Sequence, residues 1–240
     1  MTPELLTRLG ALEGVPSALA AARDGIDAML RDRGLRRTSP EATAESLLRG
    51  AHASAVLEGS ASTLDDLRAG TGDEVAAASV RLSAQLLSQV PVLTRSPLQA
   101  LARLHSLVGA GSVPEELLGR PRDAESAARL RELGPVVTAD VPALLVAAVV
   151  HAELLAAAPF ASHNGIVARA AERLVLVARG VDEKSLVVPE AGHLVLRPAY
   201  EARWRGWRDG GLQGQHAWLL HAAEAYAAGA EASPLRDGTV

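Results

Sequence analysis

The stretch Ala158-Pro159-Phe160-Ala161-Ser162-His163-Asn164-Gly165 contains the only Phe and the only Asn of a 240-residue chain. A Pro-Phe turn and an Asn-Gly step lie there between two long apolar stretches, and Arg169 follows. A helix beginning at Gly165 presents unpaired backbone N–H groups and the positive end of its dipole to the loop. Gly165 lets the backbone approach closely. Arg169, four residues on, lies on the same helical face and can grip an oxyanion in two places. Together these make an anion site suited to a phosphate. The same pattern also suits a plain turn and helix cap.

The rest of the chain narrows the class. Twenty-four basic and 28 acidic residues give a net charge of −4, which offers no strongly basic face for nucleic acid. With 48% hydrophobic residues the chain can bury a real core. It has no Cys, so disulfides and thiolate metal sites are excluded. The first residues lack a basic region followed by an apolar one, so no signal peptide is expected. The apolar run 141–160 approaches membrane-spanning length. His151 and Glu153 at its centre argue for a buried central helix instead. The expected setting is cytoplasmic, with no membrane partner.

Leu, Val and Ala recur at helical spacing almost throughout, and the expected fold class is all-α. Thr2 or Pro3 opens a first helix, and Asp24 to Arg33 continues helical until Gly34. Arg36 to Pro40 reads as a polar linker, with Ser39 capping a helix that ends at Glu58-Gly59. Further helices are expected over 75–89, from 97 to 107 or 108, over 122–133 with Gly134-Pro135 as the stop, and through the run after 140, with Asp140 as cap and Pro142 in the first turn. Others follow over 165–178 and 215–228. Segments 186–188 and 194–196 leave room for a short β-hairpin, and 234–240 reads as a frayed tail. The expected organisation is an N-terminal helical segment over 1–39, a main domain over 40–233, and the tail.

Placed in register, Pro159-Phe160-x-x-x-Asn164-Gly165-x-x-x-Arg169 resembles the Fic (Fido) motif His-Pro-Phe-x-Asp/Glu-Gly-Asn-Gly-Arg-x-x-Arg. His151 matches a His often found on the helix leading into it. Upstream, Ser54-Ala55-Val56-Leu57-Glu58-Gly59 is similar to that family's inhibitory pattern Ser/Thr-x-x-x-Glu-Gly/Asn. It lies about 100 residues before the loop, as in members whose inhibitory helix precedes the core. Leu104-His105 resembles a Leu-His step of the family, and Trp218 lies where its closing helix is expected.

The resemblance implies a helical Fic-like fold and a pocket for ATP or another nucleotide formed by Ser162, His163, Asn164, Gly165 and Arg169. It also implies an inhibitory ion pair between Glu58 and Arg169. The departures are specific. The family's catalytic His, the general base for AMP transfer to protein hydroxyls, falls at Ala158, and a methyl group accepts no proton. Its metal-holding acid falls at Ser162, which disfavours Mg²⁺, so no metal ligand is assigned. Its first motif Gly is His163, and its first Arg is Ile166. The docking flap expected between Val113 and Val137 reads as a helix rich in Arg, Glu and Ala.

The leading expectation is therefore a degenerate Fic-like protein: a pseudoenzyme that keeps a nucleotide or phosphate pocket as a binding or regulatory module. Two alternatives stay open. One is an active nucleotidyl- or phosphate-group transferase that uses His163 as a relocated base. The other is a structural helical interaction protein. A protein partner or target and a homo-oligomer are both compatible with the sequence. Arg120 and Arg122, and the Trp204-Arg205-Trp207-Arg208 cluster, read as solvated loop and helix-end packing rather than as ligand sites.

Overall fold

The structure is a computed structural model and describes residues 1–31 and 40–237. The expected linker at Arg36 to Pro40, the Ser39 cap and the Gly34 stop lie wholly or mainly outside the described residues. Among those residues there are thirteen α-helices and no strand. The β-hairpin foreseen at 186–188 and 194–196 is not formed. Pro189 begins a short helix that takes in Leu194, and Val188 N–H donates to the Gly229 carbonyl at 3.0 Å.

The centre is α9 (Ala143–Ala157), whose residues 144–152 are all buried. A helix apolar on every side has no solvent face to keep, so it becomes the core rather than its edge. Packed around it are α8 (Ala124–Thr138), α10 (Asn164–Ala178), α12 (Arg197–Asp209) and α13 (Gly211–Glu231). α1 (Pro3–Gly10) opens at Thr2, whose side chain accepts from Leu5 N–H. α2 (Val15–Arg31) packs on α13. No helix among the described residues is long and apolar enough to cross a membrane.

α3 (Pro40–Leu57) ends as the sequence suggests. Gly59 has φ +96°, its N–H donates to Val56, and the next N–H, of Ser60, reaches back to Ala55. This left-handed stop leaves Glu58 just beyond the last turn. α4 (Leu64–Ala69), which the sequence reading passed over, is opened by a capping box between Thr63 and Asp66.

Several helix limits differ from expectation. The run 75–89 divides into α5 (Glu74–Gln85) and a 3₁₀ turn at Leu87–Gln89, and α6 (Val90–Arg95) follows directly. The i→i−4 ladder ends at Gln85, where Leu86 N–H turns to Ser83, and Pro91 stands in the first turn of α6, where no intrahelical donor is needed. α7 (Pro97–Gly109) matches its expected range. α8 runs through Gly134-Pro135, because burial of Val136 and Val137 in its last turn offsets the proline penalty of about 3 kcal/mol. α9 has Pro142 at its N-cap, with no side-chain cap from Asp140. α13 extends beyond 215–228 at both ends. Pro234–Asp237 form a 3₁₀ turn, where a frayed tail was expected, and Asp237 pairs with Arg49 on α3; residues 238–240 lie outside the described set.

Candidate functional site

The loop between α9 and α10 is bracketed by two non-glycine residues in the left-handed region, Ala158 at φ +40° and His163 at φ +56°. L-residues reach this region at a cost of roughly 1–2 kcal/mol, so the surroundings must impose it. Two contacts do so. Phe160 is buried and stacks on His105 of α7, with ring centroids 4.4 Å apart and planes 6° apart. Asn164 closes the loop on itself: its Oδ1 accepts from Phe160 N–H at 2.9 Å and its Nδ2 donates to the Phe160 carbonyl at 2.9 Å. The Asn164 amide thus shapes the loop through both of its ends. Asn164→Ala should lower unfolding stability by about 1–3 kcal/mol in urea titrations, through two unmatched backbone groups. A loss below about 0.5 kcal/mol would contradict this role.

α10 starts at Asn164 without a side-chain cap. Glu58 fills that space. A Cβ built on Gly165 would lie 2.0 Å from Glu58 Oε1, so only glycine admits the carboxylate against this first turn. The ion pair implied by the resemblance is present: Arg169 Nη2 lies 2.8 Å from Glu58 Oε1. Arg169 is 1% exposed. It donates from Nε to Ser54 Oγ at 2.8 Å, from Nη2 to the Ser54 carbonyl at 3.1 Å and from Nη1 to Tyr200 OH at 3.1 Å. One guanidinium thus ties together the end of α3, α10 and α12.

The remaining assigned residues stand around this pair. Ser162 Oγ is buried without a hydrogen-bond partner. His163 Nε2 lies 3.1 Å from Ser112 Oγ, and burial pulls its pKa down. His105 accepts from Gly119 N–H at 2.9 Å; burial, then the nearby His163, pull it to about 4. Ala158 carries only a methyl at the end of α9. Arg122 donates to Ser126 Oγ at 3.3 Å and to the Ala157 carbonyl at 3.5 Å, and its backbone N–H holds the Pro159 carbonyl at 2.9 Å. Trp207 donates to Glu153 at 3.0 Å, and Arg205 and Arg208 lie over the Trp204 ring, so that cluster packs against its own helix and α9.

Sequence reasoning missed what lies one turn further along α10. All residues from 165 to 177 are buried, so Glu172 and Arg173 are charged groups inside the core. Arg173 binds Glu190 of α11 (Pro189–Val195) at 3.2 Å, Ser46 Oγ at 2.5 Å, Ser185 Oγ at 2.8 Å and the Val187 carbonyl at 2.7 Å. Glu172 Oε2 lies 2.9 Å from His151 Nδ1 and 3.0 Å from His193 Nε2, and its Oε1 accepts from Tyr226 OH at 3.0 Å. Burial alone would raise the Glu172 pKa; the flanking histidines outweigh it and hold the carboxyl below the usual range. Burial pulls His151 to about 4 and pushes Tyr200 up to about 12. The available signal was Glu172-Arg173 inside an otherwise apolar helical run.

No protein-family model and no curated protein matches the sequence. Solved structures do. A Fic family protein from Desulfovibrio desulfuricans G20 superimposes with a TM-score of 0.77 at 18% identity, covering 96% of this chain and 77% of that one. Residues 134–508 of Fic-1 from C. elegans superimpose with a TM-score of 0.66 at 17% identity, covering 89% of this chain and 70% of that one. The all-helical core built on α9, with α10 docked beside it, is the fold of the Fic proteins.

Proposed function

We propose that this chain is a Fic-fold protein without ordinary AMP transfer, in which the phosphate end of the pocket is held by an internal carboxylate and serves binding or regulation. The observation that carries the reading is Ala158 at the position of the family base, beside an α10 N-terminus already engaged by Glu58. A transfer reaction needs a group to take the proton of the attacking hydroxyl, and Ala158 has none. The phosphate-type end persists: backbone N–H groups, Gly165 and a buried guanidinium. Ser162 brings a neutral hydroxyl where the family has an acid. The donor set does not fit Mg²⁺.

Support for a structural use of the same pair comes from Arg169, whose donors reach Ser54 and Tyr200 as well as Glu58. Support for an active enzyme rests on His163, which lies in the loop with its ring beside Ser112. Calorimetry with ATP and ADP, with and without Mg²⁺, separates these readings. The wild-type chain is expected to bind either nucleotide no better than about 0.1 mM, with no gain from Mg²⁺. Nanomolar, Mg²⁺-dependent binding with rapid self-labelling would overturn the proposal.

A further inference from the structure

Beneath Arg169 three helices bring imidazole, carboxylate and imidazole to one point: His151 from α9, Glu172 from α10 and His193 from α11. We propose that His151 Nδ1, Glu172 Oε2 and His193 Nε2 form a buried binding site for a divalent metal ion of the zinc class. The three atoms lie within 4.8 Å of one another, and all three side chains are fully buried. Two imidazoles and one carboxylate are a donor set that zinc takes with three protein ligands. The absence of thiolates and of further carboxylates disfavours copper(I) on one side and calcium or magnesium on the other.

Two features set this cluster apart from a hydrogen-bonded core network. First, the two imidazoles meet Glu172 Oε2 differently: His193 Nε2 is aligned as a hydrogen bond at 3.0 Å, whereas His151 Nδ1, at 2.9 Å, is not, and it has no other partner. A fully buried ring nitrogen is left aimed beside the carboxylate oxygen. Ligands sharing one ion adopt that arrangement, because each points at the ion rather than at the other. Second, the two buried guanidiniums of this region are matched by charge: Arg169 by Glu58 and Arg173 by Glu190. Glu172 faces two imidazoles and a phenol, and a cation would supply the missing opposite charge.

An outer ring of contacts holds each proposed ligand by its other end. His151 Nε2 meets Tyr200 OH at 3.0 Å, His193 Nδ1 meets His221 Nε2 at 3.3 Å, and Glu172 Oε1 accepts from Tyr226 OH at 3.0 Å. Such outer partners orient metal ligands and are part of a working site. Because Tyr200 also accepts from Arg169, the ion would brace the guanidinium that holds Glu58. Its burial makes it a structural ion, loaded as the chain folds.

The test uses the full chain without a polyhistidine tag. Metal content is measured as purified, then the chain is stripped with a chelator and titrated with Zn²⁺ alone and with Co²⁺ alone. About one equivalent of Zn²⁺ per chain is expected, with a rise in Tm and with Co²⁺ absorption bands of low-coordinate geometry. Glu172→Gln and His193→Asn should each weaken Zn²⁺ binding at least ~10-fold while circular dichroism reports a folded helical chain. If those variants do not fold, zinc-edge X-ray absorption of the wild type decides the matter, two imidazoles and a carboxylate oxygen being expected around the ion. Uptake below ~0.1 equivalent by folded wild type at about 50 µM Zn²⁺ would overturn the proposal. So would unchanged affinity in both folded variants, or an absorption spectrum without two imidazoles, since either puts the ion on half-buried histidines outside the cluster, such as His216.

Discussion

Arg173→Met should destabilise the chain by about 3–5 kcal/mol, the largest loss expected of any single substitution around the site. The guanidinium is 1% exposed and reaches Ser46 on α3, Ser185 and Val187 in the segment before α11, and Glu190 on α11 itself. Its removal leaves the Glu190 carboxylate, 4% exposed, without a counter-charge. It also strips the Ser46 and Val187 carbonyls of donors. Close packing raises the cost further: a Cβ on Gly50 would lie 2.2 Å from Arg173 Nη1, so α3 has been brought against this side chain with no slack. Methionine fills part of the volume but none of the polar demand. Chemical denaturation checks the figure. The double variant Arg173→Met/Glu190→Leu should recover at least half of the loss, because a buried pair removed together leaves no lone charge. A single-variant loss below about 1 kcal/mol would mean that α3 is not fastened here.

Glu58→Gly should raise affinity for ATP at least about 10-fold, which corresponds to about 1.4 kcal/mol. Glu58 Oε1 occupies the space against Gly165 and one arm of the Arg169 fork. Without it, the first N–H groups of α10 and Arg169 Nη2 become available to a phosphate oxygen, and the repulsion between a carboxylate and a phosphate disappears. The gain should not depend on Mg²⁺, because Ser162 offers no charge to the ion. It should fall as salt rises, as expected of a contact between charges near the surface. Stability should drop by only about 1–3 kcal/mol. Arg169 retains Ser54 Oγ, the Ser54 carbonyl and Tyr200 OH, and the Glu58 side chain is 32% exposed, so water can take its place. Gly165→Ala offers a contrast. Its methyl should expel Glu58 as well, but it would occupy the same space, so the ion pair is lost without a gain in nucleotide affinity. Equal ATP affinity in wild type and Glu58→Gly would show that Glu58 is not what closes the pocket.

The contrast between these two arginines shows what could be read in advance. Arg169, Gly165 and Glu58 were legible because the spacing within each motif is local and both motifs resemble a known pattern. The central helix α9 was legible because it is apolar on every side. Arg173 and Glu172 were not, because their partners come from far along the chain: Ser46 is 127 residues from Arg173, and His193 is 21 from Glu172. Periodicity reports which face is buried and says nothing of which distant polar group meets it. Local rules also failed where packing opposed them. The Gly134-Pro135 stop was overridden by burial of the turn beyond it. The helix expected across 75–89 ended at Gln85 and tightened into a 3₁₀ turn over Leu87–Gln89, a change of winding that a pattern of apolar spacing does not register. The place of Asn164 in the loop was legible, and its two bonds to the Phe160 backbone were not, because local spacing does not show which backbone groups a side-chain amide meets.

The central claim is that the phosphate-binding end of a Fic-fold pocket has been kept while the proton-accepting group has been lost. The most direct measurement is transfer of label from α-labelled ATP by Glu58→Gly, with Mg²⁺, onto itself and onto proteins of a cell lysate. The account predicts nucleotide binding without label incorporation above a no-protein control, and no change when His163→Ala is added. Robust incorporation that His163→Ala abolishes would contradict it, since the base would then have moved rather than vanished.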